Sequence, residues 1–387
     1  MADRRFDIVV FGATGFTGGL TAEYLAEHAP AGLRWALAGR SLDKLRGVRA
    51  RLGPAAAELE LVQADANDPD SMRAVAEQAR VIITTVGPYI KYGESLVAAC
   101  ARAGTDYVDL TGEPEFVDRM WLAYHEEAKR SGARIVHSCG FDSIPYDLGV
   151  LWTVEQLPEG KPIHIDCFVR AGGKPSGGTF HSAVHIMGRL RQGQQVARER
   201  RRREDRTSAG RRVHGRTGPP RHDDVAGAWI VPFPTIDPVT VLRSARALDR
   251  YGPDFSYGHY LAVKRLPVLA GMTVGAGALI GLAQLPPTRN ALLKLKGPGE
   301  GPSPEERARS WFKVRFRAAS DGTRLVTQVS GGDPGYGETS KMLAESALCL
   351  AFDELPERAG QLTPAVAMGD ALIRRLQSAG IKFEVLP

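Results

Sequence analysis

The chain has 387 residues, 43% hydrophobic and 24% charged, the balance of a globular protein of about two domains, which excludes a disordered, collagenous or polytopic membrane chain. Its net charge of +6 is local: Arg189 to His222 holds twelve arginines against Glu199, Glu204 and Asp205, so the remainder is mildly acidic and nucleic acid is not an expected partner. Four cysteines without a C-x-x-C pair, Cys100, Cys139, Cys167 and Cys349, exclude a disulfide framework or a cysteine zinc site and fit reduced thiols in the cytoplasm.

The chain enters an apolar run within a few residues of Met1, leaving no room for a signal peptide, so export is not expected. Six short apolar runs follow: Phe6 to Phe11, Arg34 to Ala38, Leu59 to Gln63, Val81 to Val86, Tyr107 to Leu110 and Arg134 to Ser138. Helical patterns such as Thr17 to His28 and Pro69 to Gln78 separate them, which is the signature of a parallel sheet with crossover helices. Residues 1–150 therefore read as a Rossmann-like, doubly wound α/β domain. From 151 to 337 the texture changes to alternation, as in Ile163 to Arg170 and Phe312 to Arg317, with a hairpin expected at Ser320-Asp321-Gly322-Thr323. This predicts an inserted, mainly antiparallel α+β domain for substrate and dimerisation. Residues 338–387 turn helical again, over Glu338 to Leu355 and Thr363 to Ala379, with a last strand at Ile381 to Val385. They are expected to pack back on the first domain.

Gly12-Ala13-Thr14-Gly15-Phe16-Thr17-Gly18 reads G-x-x-G-x-x-G between a predicted strand and a predicted helix. Glycines there let the turn approach a pyrophosphate, while helix N-terminal amides attract its charge. The second strand ends Ala38-Gly39-Arg40-Ser41, where NAD binding would call for an acidic residue. Arg40 offers a planar fork for a 2′-phosphate and Ser41 a hydroxyl beside it, so NADP is the expected cofactor. Asp65 after the third strand and Val86-Gly87-Pro88 after the fourth complete the predicted cofactor contacts. Polar strand ends then converge on one crevice: Tyr89, Asp109 to Glu113, and Cys139 to Asp147 with Asp142, Ser143 and Tyr146. The carboxylates Asp109, Glu113 and Asp142 suit either acid/base work or the bonding of loop amides.

Together, GATGFTG, AGRS, TTVGPY with YGE, DLTGE and CGFDSIPYDLG resemble the saccharopine dehydrogenase-like family of NADP-binding oxidoreductases. Ser176 to Thr179, Gly297 to Ser303, Gly331 to Tyr336 and Leu362 to Ala365 look like its trans-acting enoyl reductase branch, which serves polyketide synthases making lipids. The resemblance implies a reductase acting on an α,β-unsaturated acyl thioester, small or carrier-bound, with an acyl carrier protein or polyketide synthase as partner and a homodimer as assembly. The alternatives are an oxidoreductase acting on an amino-acid-derived imine, as in other family members, and a non-catalytic NADP-binding, membrane-associated protein. On the enoyl reading Tyr89 is the first candidate to donate a hydrogen bond to the thioester oxygen and Tyr146 the second, with Asp142 orienting.

Three features remain. Leu266 to Thr288 is apolar and uncharged, suiting a buried or dimer-interface helix, peripheral contact at the inner face of the cell membrane, or a span. The Arg-rich segment 189–222 lacks interleaved aromatic residues and is expected to be a surface loop that could dock an anionic partner. His181 and His185 share helical i, i+4 spacing without a third ligand, so no metal site is expected.

Overall fold

The computed structural model describes residues 4–173, 184, 187–204, 210–294 and 301–387. Strands β1 (Phe6–Phe11), β2 (Trp35–Gly39), β3 (Glu60–Gln63), β4 (Ala79–Thr84), β5 (Asp106–Asp109) and β6 (Arg134–Val136) alternate with six helices. These are α1 (Phe16–His28), α2 (Leu42–Arg51), α3 (Pro69–Gln78), the single turn α4 (Tyr89–Tyr92), α5 (Glu94–Ala103) and α6 (Pro114–Ser131). Every residue of β1 is buried, as expected of a strand covered on both faces of a parallel sheet. After α7 (Ile144–Glu155) come β7 (Ile163–Gly172), α8 (Leu190–Arg203), β8 (Arg212–Arg216), β9 (Arg221–Asp223), β10 (Ala228–Pro232), α9 (Asp237–Ala247) and β11 (Asp254–Val263). Then follow α10 (Leu266–Gln284), α11 (Pro286–Lys294), α12 (Pro304–Ala308), β12 (Trp311–Ser320), β13 (Thr323–Gly331) and α13 (Gly337–Phe352). The chain ends with β14 (Gly360–Leu362), α14 (Pro364–Ala367), α15 (Gly369–Ser378) and β15 (Lys382–Leu386).

The first sheet has seven strands in the order β14-β6-β5-β4-β1-β2-β3, all parallel. The chain moves from β1 outward to β3, then returns to build β4 on the other side of β1. The crevice at the carboxyl ends of β1 and β4 is therefore the topological switch point, where such sheets take their ligands. The second sheet runs β15-β13-β12-β7-β11-β10-β9, with β8 also beside β11. It is antiparallel except where β7 and β8 run parallel to β11. Helix α7 is buried almost all round, packing on β12 and β13 of the second sheet on one side and on α9, α14 and α15 on others. The β12–β13 hairpin turns through Asp321 and Gly322, both at positive φ, as the Asp-Gly pair predicts.

The structure adds to or departs from these expectations in four places. Thr363 to Ala379 is two helices, because Met368 leaves helical geometry and Gly369 takes φ +44°. The return segment also adds β14 to the edge of the first sheet, which its three residues did not announce. The Arg-rich segment is not a loop: it forms α8, which packs on α6, and then β8. Arg200, 5% exposed, donates to Asp118 at 3.1 Å and pairs with Glu204, its guanidinium 4.9 Å from the Trp121 ring, while Arg189 holds Glu115 through two bonds. Finally, α10 is not buried within the protomer. Leu266, Val268, Met272, Leu282 and the following Leu285 are exposed, yet among the described residues no helix is long and apolar enough to cross a membrane.

Candidate active site

The cofactor turn is shaped by close packing. At Gly12 (φ +90°) a Cβ would lie 2.7 Å from Val86 Cγ2, and at Gly18 it would lie 2.3 Å from the Gly12 carbonyl oxygen. Neither position accepts a side chain without moving backbone. Gly15 differs: its nearest neighbour would be the Gly12 oxygen at 3.4 Å, and it is exposed together with Thr14. Gly15 caps α1 without a side-chain bond, so the amides of Phe16, Thr17 and Gly18 open the helix toward the crevice with no capping group over them. This cradle fits a diphosphate. Val86, Gly87 and Pro88 form its opposite wall, with the Thr85 amide bonded to the Phe11 carbonyl at 3.1 Å.

The residues expected to choose the cofactor also fit. Arg40 is exposed at the end of β2 and has no ion pair with a described residue. Ser41 caps α2, its oxygen accepting the Lys44 amide at 3.3 Å, which leaves the hydroxyl proton for a phosphate. Asp65 accepts the Asn67 backbone and side-chain amides, both at 3.0 Å, and so shapes the loop after β3.

Helix α13 joins this cradle to the predicted chemistry. Phe16 packs edge-on against Tyr336, ring centroids 4.7 Å apart, and the Ser340 hydroxyl donates to the Thr17 carbonyl at 3.4 Å. One residue away, Thr339 accepts the Phe141 amide at 3.0 Å. The β5 loop closes the other side, since a Cβ at Gly112 would lie 3.1 Å from Asp142 Oδ2.

Tyr89 does not take the expected role. Its hydroxyl donates to the Thr84 carbonyl at 3.1 Å and accepts the Leu110 amide at 3.2 Å. Its one proton is therefore committed to tying the ends of β4 and β5 together, and the side chain is a wall, not a donor toward substrate. Glu113 and Asp109 likewise bond loops. Glu113 accepts the Tyr89 and Ile90 amides, both at 3.0 Å. Asp109 accepts from Tyr107, Thr111 and Ser138 and meets His137 Nδ1 at 2.7 Å.

Tyr146 keeps its candidacy. It is buried, and its hydroxyl has no hydrogen bond to a described residue. The ring stands edge-on to Phe141 at 5.5 Å and to His259 at 5.1 Å. Around it lies a cluster the motifs did not single out: Asp237 at the start of α9, and Tyr257 and His259 on β11. The Tyr257 hydroxyl meets His259 Nδ1 at 2.9 Å, while His259 Nε2 lies 3.8 Å from Asp237 Oδ2. Phe233 stacks on the imidazole with centroids 5.8 Å apart. Burial pushes His259 down to about 3, so it is neutral. Burial raises Asp142, and burial reinforced by the Asp142 charge raises Asp237 well above the usual carboxylate range. Burial, then the charges of Asp237 and Asp142, keeps the Tyr146 hydroxyl protonated. The one available signal for Asp237 was an acid before Pro238, which reads equally as an ordinary helix start. His181 and His185 lie outside the described residues.

Fold and site together define an NADP-dependent oxidoreductase. Residues 8–136 match the family model of the saccharopine dehydrogenase NADP binding domain. The chain is 40% identical over 98% of its length to a protein of Mycobacterium tuberculosis (strain H37Rv) named as a trans-acting enoyl reductase, of which 97% is covered. It is 38% identical, with the same coverages, to a trans-acting enoyl reductase of Mycobacterium ulcerans. The chain belongs to this trans-acting enoyl reductase family, within the saccharopine dehydrogenase-like oxidoreductases. Its fold is that of saccharopine dehydrogenase (L-Glu forming) from Saccharomyces cerevisiae, matched over 99% of this chain and all of the other at a TM-score of 0.58 and 13% identity.

Proposed function

We propose that the protein reduces the carbon–carbon double bond of an α,β-unsaturated acyl thioester, delivered on an acyl carrier protein or polyketide synthase in lipid or polyketide biosynthesis. One observation carries this reading. Beside the cofactor crevice Tyr146 has an uncommitted hydroxyl and stands among aromatic rings, a neutral histidine, the buried carboxyl of Asp237 and the half-buried carboxyl of Asp142. Among the described residues neither Asp142 nor Asp237 forms an ion pair with a lysine or arginine; Asp237 meets only the neutral His259. A polycarboxylate such as an amino-acid-derived imine would meet like charge there without a cationic clamp, whereas a neutral enoyl thioester would not. The names of the full-length relatives agree with the second substrate.

NADPH, when bound, supplies the hydride for the β-carbon. The protein's task is to stabilise the negative charge that builds on the thioester oxygen, and the Tyr146 hydroxyl is the donor for it. Tyr146 remains a donor throughout because burial opposes its ionisation. The arginines exposed on α8 face solvent in a group suited to an acidic carrier, and the exposed apolar residues of α10 suit a second protomer or an inner-membrane surface. The deciding experiment follows NADPH oxidation across a panel of enoyl thioesters, ketones and imines. Turnover of enoyl thioesters is expected. Activity on imines alone would overturn the reading.

A further inference from the structure

One motif is still without a task, the glycine- and proline-rich run that ends at Gly301-Pro302-Ser303. Its described end lies on the cofactor cradle. At Gly301 a Cβ would lie 2.3 Å from Phe16 Cε1 and Cζ, so the backbone there passes directly against the ring of the first residue of α1. Ser303 then opens the α12 turn with a capping box: its hydroxyl oxygen accepts the Glu306 amide at 3.3 Å, and the Glu306 carboxylate accepts the Ser303 amide at 3.2 Å. The Ser303 hydroxyl donates to Glu305 at 2.7 Å, so both acids are drawn back to the start of the turn. Ser310 closes the far end by donating to the Glu306 carbonyl at 3.0 Å. These bonds give the turn a set shape. It carries Arg307, whose guanidinium carbon lies 5.9 Å from the Phe16 ring centroid. Arg307 is half-buried, its Nε is buried without a hydrogen-bond partner, and it forms no ion pair with a described residue. A buried donor on a charged group is costly to leave without an acceptor. A guanidinium over an aromatic face keeps its in-plane N–H groups free for an anion.

We propose that Arg307 is a cofactor ligand supplied by the inserted domain, the cation for the diphosphate of NADPH at the start of α1. The turn after β1 offers amides and a helix N-terminus but no full positive charge. Lys341, next to the Ser340 that bonds Thr17, is committed to Glu338 at 2.8 Å. Arg40 stands at the end of β2, where the 2′-phosphate is expected, so the two arginines divide the phosphates of the cofactor between them. Each part of the segment has a task in this arrangement. Gly301 lets the chain approach the Phe16 ring, which Tyr336 also holds edge-on, and the capping box fixes the turn that presents Arg307 to it. A planar guanidinium suits a diphosphate because it can donate two parallel bonds to it. The assignment concerns the cofactor alone, and it is independent of which substrate is reduced.

Equilibrium binding to the full chain tests this without turnover. In fluorescence titrations Arg307→Ala should weaken NADPH and NADH by the same factor, on the order of tenfold, because both carry the diphosphate. Adenosine 2′-monophosphate has the 2′-phosphate and no diphosphate, so calorimetry should find it bound equally by variant and wild type. Arg307→Lys keeps the charge and loses the fork, and should recover part of the loss. Unchanged affinity for both dinucleotides would overturn the proposal and leave Arg307 as a cover for Phe16. A loss confined to NADPH would refute it by moving the residue to the 2′-phosphate. A loss that extends to adenosine 2′-monophosphate would refute it as well, by showing that the turn shapes the crevice as a whole.

Discussion

Arg40 stands exposed at the carboxyl end of β2 with no ion pair to a described residue, and the Gly39-Arg40-Ser41 turn lacks the carboxylate that would take a ribose hydroxyl. Arg40→Ala should therefore weaken NADPH binding by about ten- to a hundredfold, the worth of a charge-assisted bond of roughly 1.5–3 kcal/mol, and leave NADH binding unchanged. Fluorescence titration of both cofactors measures this, and equal losses would remove Arg40 from the 2′-phosphate. The two tyrosines separate in the same way. Tyr89→Phe leaves the Leu110 amide and the Thr84 carbonyl short of a partner inside the protein and should cost about 1–3 kcal/mol of stability, with kcat kept. Tyr146→Phe loses no bond to a described residue, so its melting temperature should hold. Its single-turnover NADPH oxidation should slow at least about tenfold, equivalent to about 1.4 kcal/mol. The reverse pattern would exchange their roles.

At the scale of elements, α7 is fastened to the return segment by Asp147, which accepts the Ser244 hydroxyl at 2.6 Å and the Ala365 amide at the start of α14 at 2.9 Å. Burial raises Asp147 to about 7. A carboxyl raised in the folded state favours folding when protonated, so its contribution is complete below its ordinary value near 3.8 and is lost as pH rises through about 7. Unfolding followed from pH 4 to pH 8 should show this loss in the wild type and not in Asp147→Asn; parallel curves would refute it. Which elements were legible in the sequence follows from how local their causes are. β1 and β4 announce themselves because a strand covered on both faces needs an unbroken apolar run, and the turn after β1 because only glycine fits at Gly12 and Gly18. β14 is three residues, Gly360 to Leu362, with no period to detect. α8 was misread because its arginines look solvated until Asp118 and Glu115, more than seventy positions earlier, supply their partners. Asp237 and His259 were missed for the same reason: one resembles a helix start and the other an ordinary strand residue, and only the packing of α9 and β11 against α7 brings them to Tyr146.

For the molecule as a whole, the buried pairs of α8 leave a defined remainder. Arg200 and Arg189 are consumed by α6, and Arg203 pairs with Glu199 at 2.6 Å on the helix itself. Arg191, Arg198, Arg201 and Arg202 stay exposed, so the local excess of positive charge is displayed by a helix anchored to the cofactor-binding domain. A rigid charged face steers an oppositely charged partner over distances of about a Debye length, roughly 8 Å at physiological salt, and acts mainly on the association rate. Reversing Arg198, Arg201 and Arg202 to glutamate spares every buried pair and should leave folding and NADPH affinity intact. It should lower kcat/KM for a carrier-bound enoyl substrate by about tenfold at low salt, with the difference closing as salt is added. The same acyl group on a small neutral thioester should be reduced at the wild-type rate. Equal losses on both substrates would mean that the helix shapes the pocket, and no loss on either would mean that the carrier approaches over another face.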